Sequence, residues 1–134
     1  MSAKPKTFYE REVERIAQDH FLMEYQYIHI RNSTAFMKKY HAEKIELGDI
    51  AAAAFMSRFY YIRIFKQIYG VTPRQYLKDL RISKAKELLK KGLPVTQVCA
   101  DVGYKSLSTF SNAFKRGTGY APSAYQKMNQ SNLE

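Results

Sequence analysis

Few side chains in this sequence could make or break a covalent bond. Cys99 is the lone cysteine. It lies in the apolar string VTQVCADVGY with no histidine or cation at i±3 or i±4, the setting of a small core residue rather than an activated thiol. His20, His29 and His41 lie far apart, without i,i+4 partners or a cysteine cluster, so no metal site is expected. No catalytic residue and no cofactor is expected either. The chemistry on offer is ionic. The chain carries 22 Lys+Arg against 12 Asp+Glu, a net charge of +10. Residues 1–56 hold 8 of each sign, whereas residues 57–128 hold 14 cations against 3 acids. Such an excess points to a polyanion, with nucleic acid ahead of an acidic membrane surface.

The elements that position these cations must come from a small molecule. A chain of 134 residues with 46% hydrophobic content buries roughly two-thirds of its unfolded surface, enough for one compact unit or two very small ones. No apolar run approaches the ~20 residues of a membrane span. The N-terminus, MSAKPKTFYERE, has no apolar core of the kind a secretory signal needs, and a single unpaired cysteine suits a reducing cytoplasm.

The basic half contains one phrase twice. Residues 65–78 read FKQIYGVTPRQYLK and residues 114–127 read FKRGTGYAPSAYQK, with Phe, Lys, Gly, Pro, Tyr and a closing Lys at common offsets. Upstream of each copy stands a serine, Ser57 and Ser106, at the N-cap position of an aromatic-rich helix. The 49-residue offset holds from Ser57/Ser106 to Tyr76/Tyr125. Earlier it slips by one, because Ala51 pairs best with Cys99, so the second turn, DVGYK, is one residue longer. Each copy is therefore an apolar helix, a tight turn, a Ser-capped helix, then Gly-x-x-Pro and another helix. That is the helix-turn-helix order, twice.

Between the copies, Thr72 and Pro73 open a long helix that KKG closes at 90–92. Its 18 residues from Pro73 to Lys90 span about 27 Å at 1.5 Å per residue, and major-groove faces of a duplex recur about every 34 Å. Tyr61, Ile64, Phe65, Phe110, Ala113 and Phe114 form the stripe expected in the core. Upstream, residues 7–20 follow a helical period, EYQYIHI (24–30) fits a helix or an extended link, and STAFMKKY (33–40) reads as a short helix capped by Ser33 and Thr34. The tail NQSNLE is expected to fray.

With both copies and the bridge laid out, the sequence from about Ser33 to Lys127 resembles the DNA-binding domain of the AraC/XylS family of bacterial transcription regulators. The segments FKQIYGVTPRQYLKDLRISKAKELL and PVTQVCADVGYKSLSTFSNAFKRGTGYAPSAYQK carry the likeness. It implies an all-α fold: two helix-turn-helix lobes joined by a long bridging helix, with an extra N-terminal segment. The expected divisions are 1–32 for the extension, 33–72 for the first lobe, 73–91 for the bridge, 92–128 for the second lobe and 129–134 for the tail. It also implies sequence-specific binding of double-stranded promoter DNA, usually as an activator beside RNA polymerase, with no membrane partner.

Residue roles follow from the same resemblance. Phe59, Ile62 and Arg63 become base-facing in the first lobe, and Leu107, Ser108 and Asn112 in the second. Arg63 suits guanine O6 and N7, Asn112 suits adenine N6 and N7, and Phe59 suits thymine methyls. Ser57, Arg58, Lys66, Lys105, Thr109, Lys115 and Arg116 fall on the phosphates, where they fix register. Arg81 matches a structural position. Phe59 and Leu107 alternatively seal the lobe surface or touch a partner.

Departures from the family pattern raise further expectations. Phe55 stands where the first turn usually carries Gly, so either that turn is rearranged or Phe55 keeps an ordinary φ. Gly117-Thr118 replaces a basic-aromatic pair and is expected to loosen the end of the second recognition helix. The extension is expected to pack on the first lobe, with a monomer as the working unit, and self-pairing through the extension as the alternative. Other readings are a sequence-blind DNA binder, the DNA-binding half of a larger ligand-sensing regulator, and a DNA-repair alkyl-transfer enzyme built on Cys99.

Overall fold

The computed structural model describes residues 5–131. Among them are seven helices and no strand: α1 (Phe8–Tyr40), α2 (Leu47–Ala53), α3 (Arg58–Tyr69), α4 (Pro73–Lys90), α5 (Val95–Asp101), α6 (Leu107–Thr118) and α7 (Pro122–Ser131). Several boundaries have a local cause. Thr7 and Glu10 form a reciprocal capping box at the start of α1, satisfying two backbone donors that a helix end leaves open. Ser57, Thr72 and Ser106 accept the N–H groups of Tyr60, Gln75 and Thr109. Gly70 and Gly119 close α3 and α6 in the left-handed conformation, at φ 76° and 85°.

The first departure from expectation is α1. Helices were expected over 7–20 and 33–40, with EYQYIHI open between helix and extended link, yet a single 33-residue helix runs through all three and across residues 32 and 33, where the extension was expected to give way to the lobe. No Gly or Pro interrupts residues 8–40, so nothing there stops propagation. Ser33 and Thr34 do not cap a new helix. Their hydroxyls donate back to the carbonyls of Ile30 (2.5 Å) and Arg31 (2.7 Å), the bond such side chains make in mid-helix. Ser33 also accepts the buried Tyr61 hydroxyl at 2.7 Å. Burial pushes that phenol up to about 12, so it remains a donor throughout the physiological range.

Two cores follow. Ile30, Met37, Ile50, Ala51, Tyr61 and Phe65 fill the first lobe; Leu89, Val98, Cys99, Val102, Phe110 and Phe114 fill the second. Helix α4 serves both, giving Leu77 to the first and Ile82, Ala85 and Leu89 to the second. Ala113 is half-buried against the second core and Ile64 is buried in the first. The residues expected to fray are partly held. Helix α7 continues through Asn129–Ser131, and Asn129 Nδ2 donates to the Tyr125 carbonyl at 2.8 Å. Residues 132–134 lie outside the described residues.

The two turns share one backbone design. Helices α2 and α5 are offset by 48 residues, and the N–H groups of Met56 and Tyr104 return to the carbonyls of Ala51 and Cys99. Phe55 and Gly103 occupy the same left-handed position, at φ 56° and 96°. Phe55 thus keeps the usual turn rather than an ordinary φ. Its exposed ring lies 5.2 Å from that of His29. Gly103 has a second reason to be glycine: an added Cβ would come 2.5 Å from the His41 carbonyl oxygen. Gly103→Ala should therefore lower stability by more than about 2 kcal/mol, through strain plus backbone collision. Gly70→Ala, with no neighbour within 4 Å, should lose only about 1 kcal/mol. Paired urea titrations check the ranking.

Candidate nucleic-acid interface

Helices α3 and α6 are twelve residues long, Ser-capped and Gly-closed at one sequence offset, and each buries one stripe. On α3, Phe59, Arg63 and Lys66 recur at steps of four and three on the exposed side, with Phe59 at 85% exposure. Ile62 lies on the same side but is half-buried. On α6, Ser108, Asn112, Lys115 and Arg116 are exposed, and Leu107 retains 45%. Arg58, Lys105 and Thr109 are also exposed, as is the Ser57 cap.

The 49-residue register sharpens this comparison. Phe59 corresponds to Ser108, Arg63 to Asn112 and Lys66 to Lys115. Leu107 corresponds to Arg58, not to Ile62; the counterpart of Ile62 is Ser111, which is likewise half-buried. Gln67, absent from the sequence-based set, is exposed at the position of Arg116, and the repeat itself held that signal. Arg74 and Lys78 were also outside the set. They line a groove between the lobes with Thr109 and Tyr104, and Lys78 also borders a second groove with Lys86 and Arg116. Helical periodicity alone could not tell these cations of α4 from a solvated face, because what they face belongs to another element.

Local contacts pre-set several side chains. The Arg63 guanidinium lies over the Tyr60 ring, 5.3 Å from its centroid, which holds a planar donor group near the exposed face. Gln26 of α1 donates to the Tyr60 hydroxyl. The Ser106 and Ser108 hydroxyls are 2.8 Å apart. The end of α6 is not loosened by Gly117-Thr118. Thr118 Oγ1 donates to the Phe114 carbonyl at 2.8 Å and accepts the Tyr120 N–H at 3.1 Å. A Cβ on Gly117 would meet Ile82 at 3.5 Å, an ordinary packing contact, so the approach of α6 to the bridge does not require glycine here. Polar fastening replaces the missing apolar anchor.

Arg81 sets one lobe against the other. Its Nε donates to the His41 carbonyl at 2.8 Å and its Nη2 to the Glu43 carbonyl at 3.2 Å, both in the loop between α1 and α2. Its guanidinium also lies over the Tyr104 ring of the second lobe, 5.8 Å from the centroid. Burial lowers its pKa from the ordinary value, with Tyr104 opposing that shift.

Cys99 is buried, and its thiol faces the Tyr104 carbonyl at 3.6 Å. Burial pushes that thiol up, the opposite of what a nucleophile requires. Among the described residues no group of three or more His, Cys, Asp or Glu could hold a metal. No described helix is long and apolar enough to cross a membrane.

Residues 50–128 match the family model described as a helix-turn-helix domain. The sequence is 33% identical over 92 residues to the probable transcriptional regulator LumQ of Photobacterium leiognathi, covering 68% of this chain and 37% of that protein. It is 40% identical over 91 residues to the HTH-type transcriptional regulator YdeC of Bacillus subtilis (strain 168), covering 67% and 31%. The chain thus spans about a third of the length of these relatives. Among solved structures, the DNA-binding domain of AdpA in complex with a target DNA superposes with a TM-score of 0.74 at 27% identity, over 77% of this chain and 94% of that one. The C-terminal domain of AraT from Geobacillus stearothermophilus gives 0.71 at 29%, over 75% and 84%. Two helix-turn-helix lobes on one bridging helix define a DNA-binding module of transcription regulators. The chain belongs to the AraC/XylS family of such regulators.

Arg81→Met, similar in length but without donors, should lower stability by about 2 kcal/mol, because hydrogen bonds from a charged donor are lost. Thermal unfolding followed by circular dichroism reads the change.

Proposed function

We propose that one chain reads promoter DNA at two successive major grooves on one side of the duplex, with α3 and α6 as the reading helices, and that it acts as an activator beside RNA polymerase. The carrying observation is the duplicated geometry. Two helices with the same caps and opposed polar and apolar sides are joined by an 18-residue bridge, about 27 Å long. The relative solved with its target DNA supports a duplex as the ligand, and the basic excess of residues 57–128 supports a phosphate-driven affinity.

In this reading Arg63 bonds guanine and Asn112 bonds adenine, with Phe59, Ile62, Leu107 and Ser108 completing the base-facing surface. Ser57, Arg58, Lys66, Lys105, Thr109, Lys115 and Arg116 hold the backbone. Arg63 makes the first lobe dominant in specificity, since its bidentate donors have no equally long counterpart on α6. The first lobe comprises residues 33–72 with the start of its core on α1, the bridge 73–91, and the second lobe 92–128. The working unit is a monomer in the cytoplasm, and no covalent chemistry is assigned to it. A second reading, the DNA-binding part of a larger sensing regulator, is favoured by the greater length of the relatives.

Selection of bound duplexes from a random pool, at fixed near-physiological salt, tests the proposal. Two short unlike motifs about ten base pairs apart are expected. An inverted repeat would replace the monomer by a dimer, and absence of enrichment would remove base reading altogether. On the selected site, Arg63→Ala should cost about 1–3 kcal/mol and relax one base position, while Lys115→Ala should weaken all duplexes alike. Arg81→Met should broaden the accepted spacing between the two motifs while leaving each motif unchanged. If spacing stays as narrow as in the wild type, Arg81 does not set the distance between lobes.

A further inference from the structure

The first half of α1 has no covering element. From Phe8 to Tyr25 every residue is exposed except Glu12, which is half-exposed. Ten of these and the next three residues are large apolar groups, including Tyr9 at 79%, Ile16 at 60% and Met23 at 67% exposure. The extension therefore does not pack on the first lobe along most of its length. Its contact with the lobe begins around Gln26 and His29.

Five of these groups share one stripe: Tyr9, Val13, Ile16, Met23 and Tyr27, with His20 among them, recur at alternating steps of four and three, the spacing of a seam that receives another helix. Phe8, Phe21, Leu22, Tyr25 and Ile28 lie outside that stripe. The same steps continue to Ile30, Thr34 and Met37, which are buried in the first lobe. One stripe thus serves two purposes. Its C-terminal third builds the lobe, and the rest meets solvent.

The flanks of the stripe decide what can cover it. On the arm, the positions bordering the seam are Glu10, Ala17 and Glu24 on one side and Glu12, Asp19 and Gln26 on the other. They hold four carboxylates and no cation. Arg11 and Arg15 lie away from the seam, and Arg15 is already paired with Glu12 at 2.6 Å. A second copy aligned in parallel sets Asp19 against Glu24, and an antiparallel copy sets acidic flank on acidic flank. Like charges across such an interface oppose pairing. A DNA backbone or an anionic lipid surface meets the same repulsion.

We propose that the α1 arm is a docking surface for an amphipathic helix of another protein, one whose apolar seam is bordered by lysine or arginine. The arm accepts it in the alternating three-four register, and the acidic borders select its charge. The site is separate from the DNA-reading faces of α3 and α6, so the regulator can hold a protein partner while its lobes stay free. This inference does not depend on which duplex sequence is read.

Two synthetic three-heptad peptides with one leucine-isoleucine seam test it, one bordered by lysine and the other by glutamate. Each is titrated calorimetrically into the full chain at low and moderate salt. The lysine-bordered peptide should bind at least about tenfold more tightly, with the gap narrowing as salt rises. Ile16→Asp should abolish its binding without changing the melting temperature, because Ile16 lies outside both cores. Asp19→Lys combined with Glu24→Lys should reverse the preference toward the glutamate-bordered peptide. Equal binding of the two peptides overturns the assigned partner chemistry. A dimer in sedimentation that Ile16→Asp converts to monomer makes a second copy the occupant. Stronger retention on phosphatidylserine vesicles than by either peptide makes the arm a lipid anchor.

Discussion

Arg81 stands near the middle of the bridging helix, where the two lobes meet. One guanidinium gives hydrogen bonds to two carbonyls of the α1–α2 loop and offers its face to Tyr104 of the second turn. Directly beside it, Gly103 lies so close to the His41 carbonyl that no side chain fits. Two helix-turn-helix units on a plain helical rod would share only the torsional stiffness of that rod. With the guanidinium and the glycine in place, the angle between the units is set by directional hydrogen bonds and a hard contact. Any role for the pair of recognition helices as one reader depends on that constraint.

The two lobes are duplicates in grammar and unlike in chemistry. Their turns share the left-handed residue and the returning backbone bond, but the first uses Phe55 and the second Gly103. The difference follows from surroundings. Phe55 faces solvent and His29, so it bears a local backbone cost without a collision. Gly103 faces the other lobe. A similar divergence marks α3 and α6, where Arg63 over Tyr60 stands at the position of the shorter Asn112. Equal backbones thus present unequal exposed side chains.

The arm of α1 adds a different kind of surface. Around the lobes, exposed Phe55, Phe59 and Leu107 stand among an excess of cations, whereas the arm exposes tyrosine, valine, isoleucine and methionine between acidic borders. Its stripe is continuous with the first core, so a partner on the arm would extend a hydrophobic seam that the lobe already uses. Mechanical connection between arm and lobe comes with the unbroken helix. The Phe21, Tyr25, His29 and Phe55 rings run along a neighbouring side and end at the first turn.

Much of this was legible in the residues. Caps, closing glycines, the bridge from Pro73 to Lys90 and the one-residue slip between the turns are local matters, fixed by side chains within a few positions of the backbone groups they satisfy. The buried stripe of α3 and α6 could likewise be read from helical period. Other features needed the tertiary structure. Ser33 and Thr34 look like caps until Tyr61 and the preceding carbonyls claim their hydroxyls, because a cap and a mid-helix hydroxyl have the same local sequence. The place of Arg81, Gly103 and Lys78 depends on residues some 20 to 60 positions away. The sequence determined two capped helix-turn-helix units and their bridge, since short-range hydrogen bonding and periodicity suffice for that. Only the tertiary structure decided how the units are locked together and which half of α1 is left uncovered, since both follow from contacts between distant segments.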